Sequence, residues 1–158
     1  MIILGIDPSS RLTGFGVIEE CGNSLKYIDS GTLRFNEKIE FLDRFSDYYS
    51  EMKRLVEKYR PDEVAFEALI FRKNPSSLIK LAQTRGAMIC AFSETHKGKI
   101  FEYAPNLVKS SPSGHGHASK LGVQKVLNML LGNQKYETED ASDAVAIAVT
   151  HSLNRKRR

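Results

Sequence analysis

The sequence predicts an α/β domain built on a mixed five-stranded sheet, three antiparallel strands and then two parallel ones, with helices on both faces. Three observations predict it. The apolar run at residues 2–7, Ile-Ile-Leu-Gly-Ile-Asp, reads as a central strand buried on both sides. Two further strand-like segments follow closely, joined by the turn Cys21-Gly22-Asn23-Ser24, which points to an antiparallel meander. Beyond them, two short strands are each reached through a helical segment, and strands reached that way lie parallel.

Each element has its own signal. Pro8-Ser9-Ser10-Arg11 ends the first strand, and residues 14–20 and 25–35 supply the second and third. Leu42, Phe45, Tyr49, Met52, Val56 and Tyr59 recur at steps of three and four. Residues 37–60 therefore read as one long helix, with Asn36 as its cap and Pro61 just past its end. Residues 63–67 form the fourth strand, with Val64 and Phe66 on one side and Ala65 and Glu67 on the other. Asn74-Pro75 opens a helix as cap and first-turn proline. That helix carries Leu78, Leu81, Ala82, Ile89 and Phe92, and Gly86 within it permits close approach of another helix. Residues 99–103 are the fifth strand, and residues 110–117 a Gly/Ser-rich loop. A helix spans residues 119–131 with Gly132 as its end cap, and the last helix runs from about Asp140 to about Asn154.

The chain has 158 residues, which fits one domain over 1–154. The tail Arg155-Lys156-Arg157-Arg158 matches the whole net charge of +4 and is expected to be disordered. A mild basic excess suits a polyanionic partner. Two cysteines, Cys21 and Cys90, make no disulfide framework, and no Cys/His spacing resembles a zinc site. The N-terminal apolar run is too short for a signal peptide or a membrane span, so a cytoplasmic protein without membrane association is expected.

Four acids occupy revealing places. Asp7 ends a buried strand, where an unpaired carboxylate is costly; it either caps the following turn or does chemistry. Glu67 ends a second central strand. Two parallel strands that each end in an acid place both at one sheet edge, where such sheets put their sites. Asp140 and Asp143 share a face at a helix start, which by itself is also ordinary capping chemistry. If all four converge, their repulsion needs an offset, since two charges about 4 Å apart cost roughly 4 kcal/mol at an effective dielectric near 20. All-oxygen ligands favour magnesium or manganese, and two such ions can drive hydrolysis of a phosphodiester.

These residues sit in a wider pattern. Ile-Leu-Gly-Ile-Asp-Pro at 3–8 with Thr13-Gly14-Phe15-Gly16 resembles the opening of RuvC-type Holliday-junction resolvases. Val64-Ala65-Phe66-Glu67 followed by Lys73-Asn74 resembles that family's second motif, and Gln83-x-Arg85-Gly86 its dimer-side helix. Ala118-Ser119-Lys120 with Val123-Gln124 resembles its DNA-side helix, and Asp140-Ala-Ser-Asp143-Ala-Val-Ala-Ile-Ala its last motif. The resemblance runs from residue 2 to about 151 and implies an RNase H-like nuclease domain. It further implies a homodimer that nicks opposed strands of a four-way DNA junction, leaving 5′-phosphate and 3′-hydroxyl ends. Asp7, Glu67, Asp140 and Asp143 match the family's metal-binding acids, for Mg2+ or, in its place, Mn2+, two ions per site with substrate bound. Lys109 and Lys120 match lysines near the scissile phosphate and in DNA binding, Lys120 also counting among the catalytic residues. The family works with the RuvA–RuvB branch-migration complex. Ser9 stands where the family usually carries glycine. Ile70 stands where it carries an aromatic that stacks on junction bases; Phe71 follows, so the stacking either moves to Phe71 or is weaker.

Arg72, Lys73, Lys80, Arg85, Lys109, Lys120 and Lys125 are spread over segments flanking the acids; Phe71, Arg72 and Lys73 join Lys109 and Lys120 as expected DNA contacts. His115 and His117 read as exposed loop residues, and His151 as a satisfied core histidine. Leu78, Leu81, Met88, Ile89 and Phe92 read as core or dimer interface. Other classes share parts of this pattern. An actin-like ATPase also opens with a strand, an Asp and a Gly/Ser-rich hairpin, but needs two such domains. A non-catalytic junction binder would not need four acids. A nuclease acting on RNA would carry the same acids, and only a comparison of substrates separates it.

Overall fold

The structure, a computed structural model, describes residues 1–70, 74–110 and 120–155. Phe71, Arg72, Lys73, Pro112, His115 and His117 lie outside the described residues, as do Lys156, Arg157 and Arg158.

Strands β1 (Ile2–Asp7), β2 (Leu12–Cys21) and β3 (Ser24–Arg34) form the antiparallel meander, with a bulge where β2 meets β3 at Val17/Ile18. β4 (Glu63–Glu67) and β5 (Ile100–Tyr103) run parallel to β1, giving the sheet order β3-β2-β1-β4-β5. The expected five strands and their directions are all present, with β1 at the centre.

Alternation along the strands divides the core in two. Leu4, Ile6, Val64 and Phe66 share one core with Met52 and Leu55 of α1 (Phe45–Tyr59), with Met88 of α2 (Pro75–Cys90) and with Phe92, which lies in the turn just past α2 and not in the helix as expected. Ile3, Ile18 and Ala65 share the other with Leu127 of α4 (Lys120–Leu131) and Val145 and Ile147 of α5 (Glu139–Arg155). Helices therefore cover both faces. Asp7 and Glu67 follow Ile3 and Ala65 in alternation, so both belong to the face that α5 covers.

Several elements differ from expectation. The long helix begins at Phe45, after a single 3-10 turn at Leu42–Arg44, and not at residue 37. Asn36 caps only a local turn: its side chain accepts the Lys38 amide at 3.0 Å and its carbonyl the Ile39 amide at 3.2 Å. Leu42 is 66% exposed, and the face that reaches the sheet is Tyr48, Met52 and Leu55. A six-residue helix, α3 (Pro105–Ser110), was not expected, although Pro105 at its first position is a helix-start signal. Arg155, assigned to the tail, closes α5 and pairs with Glu20 at 3.2 Å and Glu63 at 3.3 Å.

The α2 cap is as expected, with the Asn74 side chain accepting the amides of Ser76 and Ser77 at 3.1 and 3.3 Å. Ser9 does not need a glycine's backbone. Among the described residues only Arg60, at the end of α1, has positive φ outside glycine. Instead the Ser9 hydroxyl accepts the amides of Arg11 and Leu12.

Candidate active site

The sheet edge at the ends of β1 and β4 collects the four acids. Ile6 is level with Phe66, so the next residues, Asp7 and Glu67, end adjacent parallel strands side by side. Gly14 is the partner of Asp7 on β2, and here the start of α5 comes down onto the sheet. A Cβ at Gly14 would stand 2.0 Å from the carbonyl oxygen of Asp140, and one at Gly5 would stand 2.1 Å from that of Ala144. Only glycine permits that approach. The backbone of Asp140 thus rests directly beside the strand position that faces Asp7.

Capping does not explain these acids. The Thr138 hydroxyl accepts the Ala141 amide at 3.1 Å, so Thr138 caps α5 and Asp140 lies inside its first turn. The turn after Asp7 is held by Ser9 and Thr13, whose side chain accepts the Ser9 amide at 3.1 Å and donates to the Ser9 carbonyl at 2.8 Å. Thr138 was missed in the sequence, although a threonine before an acidic first turn and an apolar run is a cap signature.

The electrostatics record the convergence. Burial, and then the charges of Glu67, Asp143 and Asp140 in that order, push the Asp7 carboxyl up from 3.8 to about 8. Asp7, Glu67 and Asp140 are half-buried and Asp143 is exposed. Among the described residues no three Asp, Glu, His or Cys side chains stand close enough together to enclose a metal ion as they are. The donor set, all oxygen and all anionic, fits a hard divalent cation.

Glu67 and Asp143 also line a cleft of about 600 Å3, together with Lys109, Gln124, Glu139 and Ser142. A second cleft of about 400 Å3 opens on the other side of Glu67, between Pro8, Ile70 and the Leu78–Leu81 face of α2. Lys109, on α3, lines the cleft that Glu67 and Asp143 share.

Residues 3–151 match the family model described as crossover junction endodeoxyribonuclease RuvC. This chain belongs to the RuvC family. The crossover junction endodeoxyribonuclease RuvC of Halothermothrix orenii is 38% identical over 161 residues, 99% of this chain and 97% of its own length. That of Geobacter sulfurreducens is 41% identical over 152 residues, covering 96% and 92%. The solved structure of T. thermophilus RuvC in complex with Holliday junction substrate matches with a TM-score of 0.91 at 26% identity, covering 99% of this chain and 96% of that one. The fold is RNase H-like, as the sequence resemblance implied.

Not every basic residue of this RuvC-family chain faces the site. Arg85 is 8% exposed, lies against the Phe66 ring and pairs with Glu102, so it is a core residue and not a phosphate contact. Lys80 lies 5.6 Å from the Phe41 ring centre, on the α1 side of α2. Lys120 is the first residue of α4, and its side chain lies outside the description. Met88 and Phe92 are core, whereas Leu78, Leu81 and Ile89 are only partly covered.

Proposed function

We propose that this chain is a structure-specific endonuclease that resolves four-way DNA (Holliday) junctions by paired symmetric nicks in recombination and repair. The observation that carries the reading is the Asp7 carboxyl, held at about 8 by burial and by three further carboxylates. A protein has little reason to keep such a repulsive cluster at a sheet edge unless a cation shares it.

Asp7, Glu67, Asp140 and Asp143 are the residues that would hold the metal. Mg2+, with Mn2+ able to replace it and two ions per site when substrate is bound, supplies Lewis-acid chemistry that acidifies water and offsets charge on the phosphate and its leaving oxygen. The chain's own part is placement. β1 and β4 fix Asp7 and Glu67 at one level, and α5 brings Asp140 and Asp143 over them. Lys109 and Lys120 act on the phosphate, Lys120 beside the scissile bond, while Phe71, Arg72 and Lys73 contact junction DNA. In the net reaction a water oxygen bonds to phosphorus and the P–O3′ bond breaks, leaving a 5′-phosphate and a 3′-hydroxyl.

Paired nicks call for two sites, and the exposed face of α2 supports a homodimer. Ile79 is 58% exposed there, and a Cβ at Gly86 would meet nothing within 4 Å, so a second helix can approach closely. RuvA–RuvB is the expected branch-migration partner and the cytoplasm the expected compartment. No described helix is long and apolar enough to cross a membrane.

The test is cleavage of a synthetic immobile four-way junction by wild type and Glu67→Gln, with linear duplex and RNA–DNA hybrid alongside. Wild type should cut the junction symmetrically and stop on chelation. Glu67→Gln should bind it equally and lose cleavage by roughly a thousandfold or more. Undiminished cutting by Glu67→Gln, or preference for the hybrid, refutes the reading.

A further inference from the structure

His151 lies on α5 eight residues after Asp143, about 12 Å along the helix, and is wholly buried. Its Nδ1 stands 2.7 Å from the Tyr103 hydroxyl and its Nε2 2.7 Å from the Glu63 carboxylate. Burial pushes the imidazole pKa down, against the opposing pull of Glu63, and so favours the neutral ring. A carboxylate can only accept, so the ring N–H points at Glu63 and Nδ1 accepts from Tyr103. Glu63 also takes a contact from Arg155, at 3.3 Å, and the Phe101 ring lies 4.5 Å from the imidazole centre.

The partners of this histidine are the ends of the acid-bearing strand and its neighbour. Glu63 opens β4 and Glu67 closes it. Tyr103 is the β5 partner of Glu67, and its carbonyl accepts the Ala68 amide at 2.9 Å, immediately after Glu67. One imidazole therefore joins α5 to the first residue of β4 and to the strand residue beside its last. Nearer the acids the α5 contact is apolar, through Ala144, Val145, Ala148 and Val149, while past His151 the Ser152 hydroxyl and Arg155 bond Glu20 at 2.9 and 3.2 Å, far from Glu67. Close packing on Gly5 and Gly14 sets how near α5 comes to β1 and β2, but apolar contact is non-directional, whereas a hydrogen bond to the β4–β5 side fixes both distance and angle.

We infer that the Tyr103–His151 hydrogen bond is a positioning device: it ties the helix bearing Asp140 and Asp143 to the strand pair ending in Glu67, and so sets how tightly the site holds a divalent cation. Both residues are buried, so their part is to hold other groups in place. The inference rests on the reading of the four acids as metal ligands.

Three variants separate this role from simple stability. Tyr103→Phe keeps the ring and removes the hydroxyl. His151→Asn keeps an acceptor near the place of Nδ1 and loses Glu63. His151→Gln keeps a donor toward Glu63 and loses Tyr103, and it gives the same test if Tyr103→Phe does not fold. Free Mn2+ is measured by electron paramagnetic resonance with DNA-free protein, beside Tm, junction affinity in chelator, and the Mn2+ dependence of cleavage. Tyr103→Phe and His151→Gln should weaken Mn2+ binding about tenfold, the low end for residues that support metal ligands. Their junction affinity should not change, and their rate at saturating Mn2+ should stay within about twofold of wild type. His151→Asn should bind Mn2+ as wild type does, whatever its Tm. Wild-type Mn2+ affinity in a folded Tyr103→Phe, or equal loss in His151→Asn and His151→Gln, overturns the inference. Wild-type protein that binds no Mn2+, or cleavage surviving in Glu67→Gln, brings down the metal reading itself and this inference with it.

Discussion

Asp7 follows Ile6, which is fully buried, and three other carboxylates lie within electrostatic reach of it. With its carboxyl moved from 3.8 to about 8, the folded chain keeps a proton that the unfolded chain has released across that window. Stability of the metal-free protein should therefore fall as pH rises from about 4 to about 8. Asp7→Asn removes this dependence. In chelator at pH 8 it should unfold at a higher temperature than wild type, with the gap closing toward pH 4. Mn2+ should raise the Tm of wild type and leave Asp7→Asn unmoved. A wild-type melting temperature that is flat across this range would remove the electrostatic basis of the site. At this scale the sequence located the acids by their places at strand ends and a helix start. It left open whether Asp140 was a cap, because that depended on Thr138 taking the job.

At the scale of elements, the approach of α5 to β1 and β2 decides whether the acids meet. Gly14 is the tightest point, and a methyl group there would stand 2.0 Å from the Asp140 carbonyl oxygen. Gly14→Ala must lift the start of α5. A displacement of about 1 Å at a reacting centre can cost a hundredfold in rate. The expected result is a folded protein whose Tm drops by several degrees and whose cleavage falls at least a hundredfold, measured at fixed Mn2+. Near-normal cleavage by Gly14→Ala would mean that the helix start does not carry ligands. The strands and the α2 cap were legible because their signals are local. The start of α1 was not: the periodic pattern ran back to Leu42, but a turn at Asn36 and the reach of Tyr48 and Met52 to the sheet set the true boundary.

For the whole molecule, a net charge of +4 faces a polyanion. If each junction-bound protein neutralises six to ten phosphates, affinity should fall roughly 10^3–10^5-fold between 50 and 200 mM salt. Gel-shift titrations in chelator measure it, and an affinity indifferent to salt would argue against a phosphate-tracking surface. Arg85 shows why counting basic residues is a poor guide to that surface. The sequence groups it with lysines beside the acids, while the fold turns it onto Phe66 and against Glu102.

The sequence by itself determined the architecture and the short set of acids, because strand alternation, turn residues and strand-end carboxylates act over a few neighbours. It also carried the family resemblance over nearly the whole chain. Only the tertiary structure decided which of those acids feel one another, that Thr138 frees Asp140 from capping, and that His151 joins Glu63 to Tyr103. Those relations span tens of residues along the chain. They arise when sheet register and close helix packing bring distant side chains within bonding distance, which no local pattern encodes.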